Sequence, residues 1–212
     1  MKITIVYDNQ KIEDSLISDW GFSCYIEVEK KKILFDTGGN GRILLHNLKV
    51  LQIDPGGITD IVISHPDFDH IGGLSEILNE NNTAKLYLPN SFRGVKRDNP
   101  IYYSHKPVEI GSGFYLTGEL DKREQSLGIQ TENGVVLIVG CSHPGLEKIT
   151  EVISTFGKVY AIVGGFHGFK NFQVLEDIEK ICPTHCTRRK KEIFELFPEK
   201  CLEGGAGRIL EF

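Results

Sequence analysis

At 212 residues the chain is long enough for one sizeable core, and 40% apolar with 25% charged residues excludes a disordered or low-complexity polymer. A net charge of −5 argues against a nucleic-acid scaffold. No apolar run is long enough to span a bilayer, and the N-terminal Met1–Asp8 stretch reads as a strand instead of a signal peptide, so neither nucleic acid nor membrane is an expected partner. The cysteines, at 24, 141, 182, 186 and 201, are odd in number and scattered, which is not a disulfide framework and makes the cytoplasm the expected location.

In chain order, Ile3–Tyr7 is a predicted strand, followed by a hairpin of Phe22–Val28 and Lys32–Phe35 around Glu29-Lys30-Lys31 and closed by Asp36-Thr37-Gly38-Gly39. Ile43–Leu51 is amphipathic and helical, Asp60–Ser64 a buried strand, and Gly73–Glu80 a helix. Lys85–Leu88 and Gly113–Gly118 read as strands separated by a long polar and aromatic segment. Gly134–Val139 is a strong strand, Gly145–Thr155 a helix, Val159–Val163 a strand, Ile178–Cys182 a short strand, Arg188–Phe197 a helix and Arg208–Phe212 an edge strand. No linker-like composition interrupts residues 1–212, which are read as a single domain; composition says nothing about oligomeric state.

The densest chemistry lies at Ser64-His65-Pro66-Asp67-Phe68-Asp69-His70, followed by Ile71-Gly72-Gly73. Residues two apart on a strand share a face, so His65 and Asp67 can point into one site, with Asp69 and His70 entering from the start of the next helix. Such a crowd of carboxylates and imidazoles is unfavourable unless a cation neutralises it, whereas a plain helix start would need only Asp69 as a cap. Three further β-like runs end in a histidine-bearing turn: Leu137–His143, Ala161–His167 and Ile181–His185. In layered α/β folds, groups at strand ends meet on one rim.

These segments resemble the metallo-β-lactamase superfamily, and the phrases Gly140-Cys141-Ser142-His143-Pro144-Gly145, Gly164-Gly165-Phe166-His167 and Pro183-Thr184-His185-Cys186-Thr187 are similar to its branch of archaeal 7,8-dihydropterin/ribofuranosylaminobenzene-phosphate synthases. The resemblance implies an α/β, four-layer αββα sandwich with one or two divalent metals at its rim. It implies one cation on His65, Asp67 and His143 and a second on Asp69, His70 and His185. The family pattern is H-x-H-x-D-H, and Asp67 stands where the second histidine belongs. An extra carboxylate hardens the site, so zinc is the first expectation, with iron or manganese as alternatives.

Other positions keep two readings. Cys141 is either a small buried hydrophobe or a thiolate bridging two cations. His167, after Gly164-Gly165, is either a core histidine or a catalytic acid, anion binder or metal ligand. Asp36 either forms an Asx turn or, as the resemblance implies, orients the metal loop. Arg93, Arg188 and Arg189 are either solvated charges or binders of a substrate anion; Cys182-x3-Cys186 lacks the second pair a structural zinc site needs.

The favoured function is hydrolysis of an ester, lactone or phosphoester-type small molecule by metal-activated water, with Asp69 and His167 catalytic. The alternatives are a pterin-diphosphate-dependent synthase, its small-molecule substrate phosphorylated, and a non-hydrolytic di-iron redox or sensing protein.

Overall fold

The computed structural model describes residues 1–212. Its strands are β1 (Lys2–Tyr7), β2 (Ser23–Val28), β3 (Lys31–Phe35), β4 (Asp60–Val62), β5 (Lys85–Pro89), β6 (Ile101–Ser104), β7 (Val108–Gly111), β8 (Phe114–Leu116), β9 (Leu127–Thr131), β10 (Gly134–Val139), β11 (Val159–Gly165), β12 (Lys180–Thr184) and β13 (Ile209–Glu211). The helices are α1 (Gly41–Val50), α2 (Phe68–Ile71), α3 (Leu74–Glu80), α4 (Leu146–Ser154) and α5 (Lys190–Leu196). No helix is long and apolar enough to cross a membrane.

Two mixed sheets form, in the orders β13-β1-β2-β3-β4-β5-β6 and β12-β11-β10-β9-β8-β7. The alternation of each buried strand sorts its side chains between two layers. On β10, Val136 and Ile138 enter the core between the sheets, while Val135, Leu137 and Val139 pack against α4 residues Leu146, Ile149 and Ile153. On β3, Ile33 and Phe35 face the opposite sheet while Leu34 faces Leu44 and Leu48 of α1 and Ile77 of α3. Strands apolar on both faces therefore require a helical layer outside each sheet, and the result is the expected αββα sandwich.

Parallel pairing sets the rim. Strand β3 runs parallel to β4, and β10 to β11 and β12. Their C-terminal ends therefore emerge side by side, at Asp36, Ser64–His65, Cys141–His143, Gly165–His167 and His185. The polar and aromatic segment between β5 and β8, for which the sequence predicts no element, carries β6 and β7. Both are edge strands whose Tyr102, Tyr103 and Val108 are exposed, so no buried alternation marks them. Strand β9 was also absent from the sequence reading, because Gly128 interrupts its short apolar run; an added Cβ there would press on Ile153 and Val135.

Candidate metal centre

The rim is built from backbone that ordinary residues avoid. Asp36 (φ 55°), Ser142 (φ 59°), His167 (φ 42°) and His185 (φ 46°) are left-handed at the ends of β3, β10, β11 and β12. A non-glycine residue there costs about 1–3 kcal/mol, and persists only where its surroundings hold it. They do: Asp36 accepts the Ser64 amide at 2.7 Å, Ser142 Oγ donates to Gly165 O at 2.8 Å, and the His185 amide donates to Asp8 Oδ1 at 3.0 Å. At Gly140 a Cβ would fall on Ser64 Oγ, so only glycine lets the second sheet approach this closely.

Each of four imidazoles is held by its Nδ1. Asp36 Oδ2 accepts His70 Nδ1–H at 2.7 Å and the Ser64 hydroxyl at 2.7 Å. With its proton committed to Asp36, Ser64 Oγ accepts His65 Nδ1–H at 2.8 Å. Glu124 Oε2 accepts His143 Nδ1–H at 2.8 Å, and Asn9 Oδ1 accepts His185 Nδ1–H at 2.9 Å. Asn9 is fixed in that orientation because Nδ2 donates to His185 O at 3.1 Å and Oδ1 accepts the Gly21 amide at 3.1 Å. All four rings thus carry their proton on Nδ1 and turn an Nε2 lone pair inward, the arrangement that second partners impose on metal-binding histidines.

The Nε2 atoms converge. The donor atoms of His65, Asp67 and His143 lie within 4.8 Å of one another, as do those of Asp69, His70 and His185. His65 and His70 ring centroids are 4.1 Å apart, His65 and His143 4.7 Å, and His70 and His185 5.1 Å. His65 Nε2 and His185 Nε2 are buried without a hydrogen-bond partner. Buried polar atoms are seldom left so, and a cation would satisfy both. The residues present fit a divalent metal, with nitrogen and oxygen donors suited to zinc, iron or manganese.

The electrostatics of the metal-free centre follow from burial. Burial, with the neighbouring His70, lowers His65 to about 4; burial, with His185, lowers His70 to about 3. Both are therefore neutral, ready ligands at pH 7. Burial raises Asp36 to about 7, against the pull of His65 and the Ser64 donors. Burial also opposes ionisation of Asp69 and Glu124, yet the close approach of His185, with His70 beside it, holds Asp69 below the usual carboxylate range, and the hydrogen bond from His143 brings Glu124 to about 2.

These shifts predict a pH-dependent stability for the metal-free protein that is lost in acid. Below about 6.5 the unfolded chain protonates two histidines that the native state keeps neutral, so stability falls toward pH 4. Asp36 acts oppositely, and its contribution is lost as pH rises through about 7. Two histidines outweigh one carboxyl across that range, so Tm in chelator should rise from pH 4.5 to about 6.5 and level off above about 7. Calorimetry across pH 4.5–8.5 tests it; a flat profile contradicts it.

The other candidates fall around this centre. Asp67 is the residue before α2 but its carboxylate makes no capping bond; Oδ2 lies 3.5 Å from His65 Nε2 and accepts Arg123 Nη2 at 2.5 Å. Cys141 Sγ is 3.2 Å from His70 Nε2, and a hydrogen bond to Cys186, together with burial, pushes its thiol well above the ordinary value. The His167 ring centroid lies 5.1 Å from that of His143, the rings tilted by 46°, in a cleft of about 440 Å³, with Nδ1 buried and unpartnered. Arg188 is exposed beside His167, lowering its pKa further after burial and His143. Arg189 pairs with Glu192 at 2.7 Å on α5, and Arg93 bonds the Asn90 and Phe92 carbonyls and lies over Tyr103; neither has a contact in the histidine cluster.

Several functional groups carried no sequence signal. Glu124 is fully buried and accepts the Cys141, Ser142 and His143 amides as well as the His143 ring. Trp20, the chain's one tryptophan, donates Nε1–H to Asp69 Oδ2 at 2.8 Å with its ring 5.1 Å from His185. Both lie in segments without periodicity, 49 and 19 positions from the groups they serve.

Residues 21–164 match the metallo-beta-lactamase superfamily. The chain is 30% identical, over 99% of its length and 95% of the relative's, to the 7,8-dihydropterin-6-methyl-4-(beta-D-ribofuranosyl)-aminobenzene-5'-phosphate synthase of Methanocaldococcus jannaschii. That alignment spans 280 positions against 212 residues, so the relative carries segments this chain lacks. Among solved structures, Tm1679, a metal-dependent hydrolase of the beta-lactamase superfamily, superposes with TM-score 0.81 and 26% identity over 100% of this chain and 99% of that one. The metallo-beta-lactamase fold protein YhfI of Bacillus subtilis shares the fold at TM-score 0.69 and 11% identity, over 99% of each chain. With its αββα sandwich and its rim of histidines and carboxylates, the chain belongs to the metallo-beta-lactamase superfamily. Its fold is that of the superfamily's metal-dependent hydrolases.

Proposed function

We propose that the protein is a metal-dependent hydrolase of a small ester, lactone or phosphoester. One observation carries this reading: four imidazoles from three separate chain turns, each anchored at Nδ1, aim Nε2 into one rim. His65, Asp67 and His143 would hold one cation, and Asp69, His70 and His185 a second. A divalent cation bound there supplies Lewis acidity, bringing the pKa of water toward neutrality and stabilising negative charge on a polarised oxygen. Asp69, kept ionised by His185, accepts the proton of the attacking water. His167 stands beyond His143 at the open cleft, where its neutral ring N–H donates a hydrogen bond to the leaving group, and exposed Arg188 beside it attracts an anionic substrate.

Zinc is the proposed metal, with iron or manganese as alternatives because Asp67 supplies oxygen in place of nitrogen. The Arg123 guanidinium offsets the added negative charge, so the cluster keeps the charge a neutral histidine would give it. A second reading, a synthase acting on a phosphorylated pterin, is supported by the 30% identity to the Methanocaldococcus jannaschii enzyme. Substrates on either reading are small molecules. Metal analysis of protein purified without chelator, with a panel of phosphodiester, lactone and thioester substrates, tests the proposal. We expect bound metal and turnover of at least one class, both lost in His70→Ala; an active metal-free variant would refute it.

A further inference from the structure

The two halves of the centre are chemically unequal, and the difference lies in sulfur. Two free thiols, Cys141 after β10 and Cys186 after β12, reach the same corner, both buried. The Sγ atoms of Cys141 and Cys186 and a ring nitrogen of His185 all lie within 4.8 Å of one another. His185 is one of the two histidines whose Nε2 is buried without a partner, and its side chain is fully inaccessible. Asp69 Oδ2 stands 3.2 Å from that nitrogen, and Cys141 Sγ 3.2 Å from His70 Nε2. Room for the second thiol is made by Gly165, where an added Cβ would lie 2.6 Å from Cys186 Sγ. Tetrahedral ligands at zinc distances stand roughly 3.3–3.8 Å apart, so modest closure of this group would enclose an ion. The opposite corner, His65, Asp67 and His143, has no second thiol: Cys141 Sγ also lies within 4.8 Å of ring nitrogens of His65 and His143, so Cys141 borders both corners, and Cys186 joins the His185 corner alone.

We infer that Cys141 and Cys186 join Asp69, His70 and His185 as donors to the second cation, making a sulfur-ligated site for a thiophilic ion, while His65, Asp67 and His143 form a harder site beside it. This rests on the metal-binding reading above and deepens it. Each thiol surrenders its proton to solvent on binding, and its sulfur lone pair takes the cation. Soft thiolates select zinc or cadmium over manganese, whereas carboxylate and imidazole accept the harder ions. The centre would therefore fill with two different metals when offered both.

The test is absorption spectroscopy of chelator-stripped full-length protein titrated with cobalt(II), with bound cobalt counted by mass spectrometry. A sulfur-to-cobalt charge-transfer band should appear, lose about half its intensity in Cys186→Ser and in Cys141→Ser, and stay unchanged in Cys201→Ser. On the unaltered protein, cadmium(II) should abolish the band and manganese(II) should not, a readout independent of how the variants fold. Cobalt uptake without the band, or a band undiminished in folded Cys186→Ser, overturns this inference and leaves the metal centre standing. No cobalt uptake at all overturns both.

Discussion

Asp36→Asn should strip the protein of metal while leaving its fold intact. The substitution changes almost no volume, but it replaces an acceptor with a donor. Asp36 Oδ2 receives protons from His70 Nδ1 and Ser64 Oγ, and through Ser64 it also fixes the proton of His65. The amide of an asparagine with its Oδ1 on the Ser64 amide would present N–H to both groups. His70 would have to accept at Nδ1, and the Ser64 proton would turn to His65. Both rings would then carry hydrogen on Nε2, the atom that must bind the cation. Loss of such a supporting partner costs 10–100-fold in affinity for one histidine, and here two are misdirected, so a fall of at least about 100-fold is expected by calorimetric titration. The metal-free variant should at the same time show a steeper rise in Tm between about pH 4 and 6.5, because the opposing titration of the buried Asp36 carboxyl is removed. Unchanged affinity would show that the tautomers are set by something else.

Glu124→Gln should damage the fold itself. Glu124 Oε1 accepts the Cys141 and Ser142 amides at 3.0 and 2.9 Å, and Oε2 accepts the His143 amide at 2.9 Å and its ring at 2.8 Å. This one carboxylate holds the turn after β10, including left-handed Ser142. A glutamine has one acceptor oxygen, so in either orientation its NH₂ faces two donors. Each buried group left unsatisfied costs about 1–3 kcal/mol, giving a loss of about 4 kcal/mol, and at about 2–4 °C per kcal/mol for a chain of this size, Tm should fall by about 10 °C. Glu124 ionises at about 2 in the fold against its ordinary 4.5, so its stabilisation is complete above pH 4.5 and disappears as the pH falls toward 2. The gap in Tm between the variant and the wild type should therefore narrow in acid. Equal Tm values at pH 7 would contradict this account of the turn.

How much of this was readable from the chain depends on how local each signal is. The layers were legible because Val135–Val139, Ile61–Ile63 and Ala161–Val163 are apolar at consecutive positions, which only a sheet covered on both faces allows. The cluster from His65 to His70 was legible because its donors fall within one turn. Edge strands β6 and β7 and the glycine-broken β9 lacked any such pattern. The anchors were hidden for another reason: Glu124, Asn9 and Ser64 act through one hydrogen bond each to a histidine ring, and no spacing rule links Asn9 to His185 across 176 positions. Asp36 could be suspected from the motif, but its control of two rings through Ser64 needed coordinates. The Cys182-x3-Cys186 spacing gave no hint that Cys186 stands beside Cys141 of another loop.

The most direct test is anomalous diffraction from crystals of the protein soaked in zinc. The account predicts anomalous density bonded to Nε2 of His65 and His143, of His70 and His185, or of both pairs, at roughly 2.0–2.1 Å from each nitrogen, with Nδ1 of all four rings still on Ser64, Glu124, Asp36 and Asn9. An empty rim at saturating zinc, or a peak bound through Nδ1 with those partners broken, would contradict it.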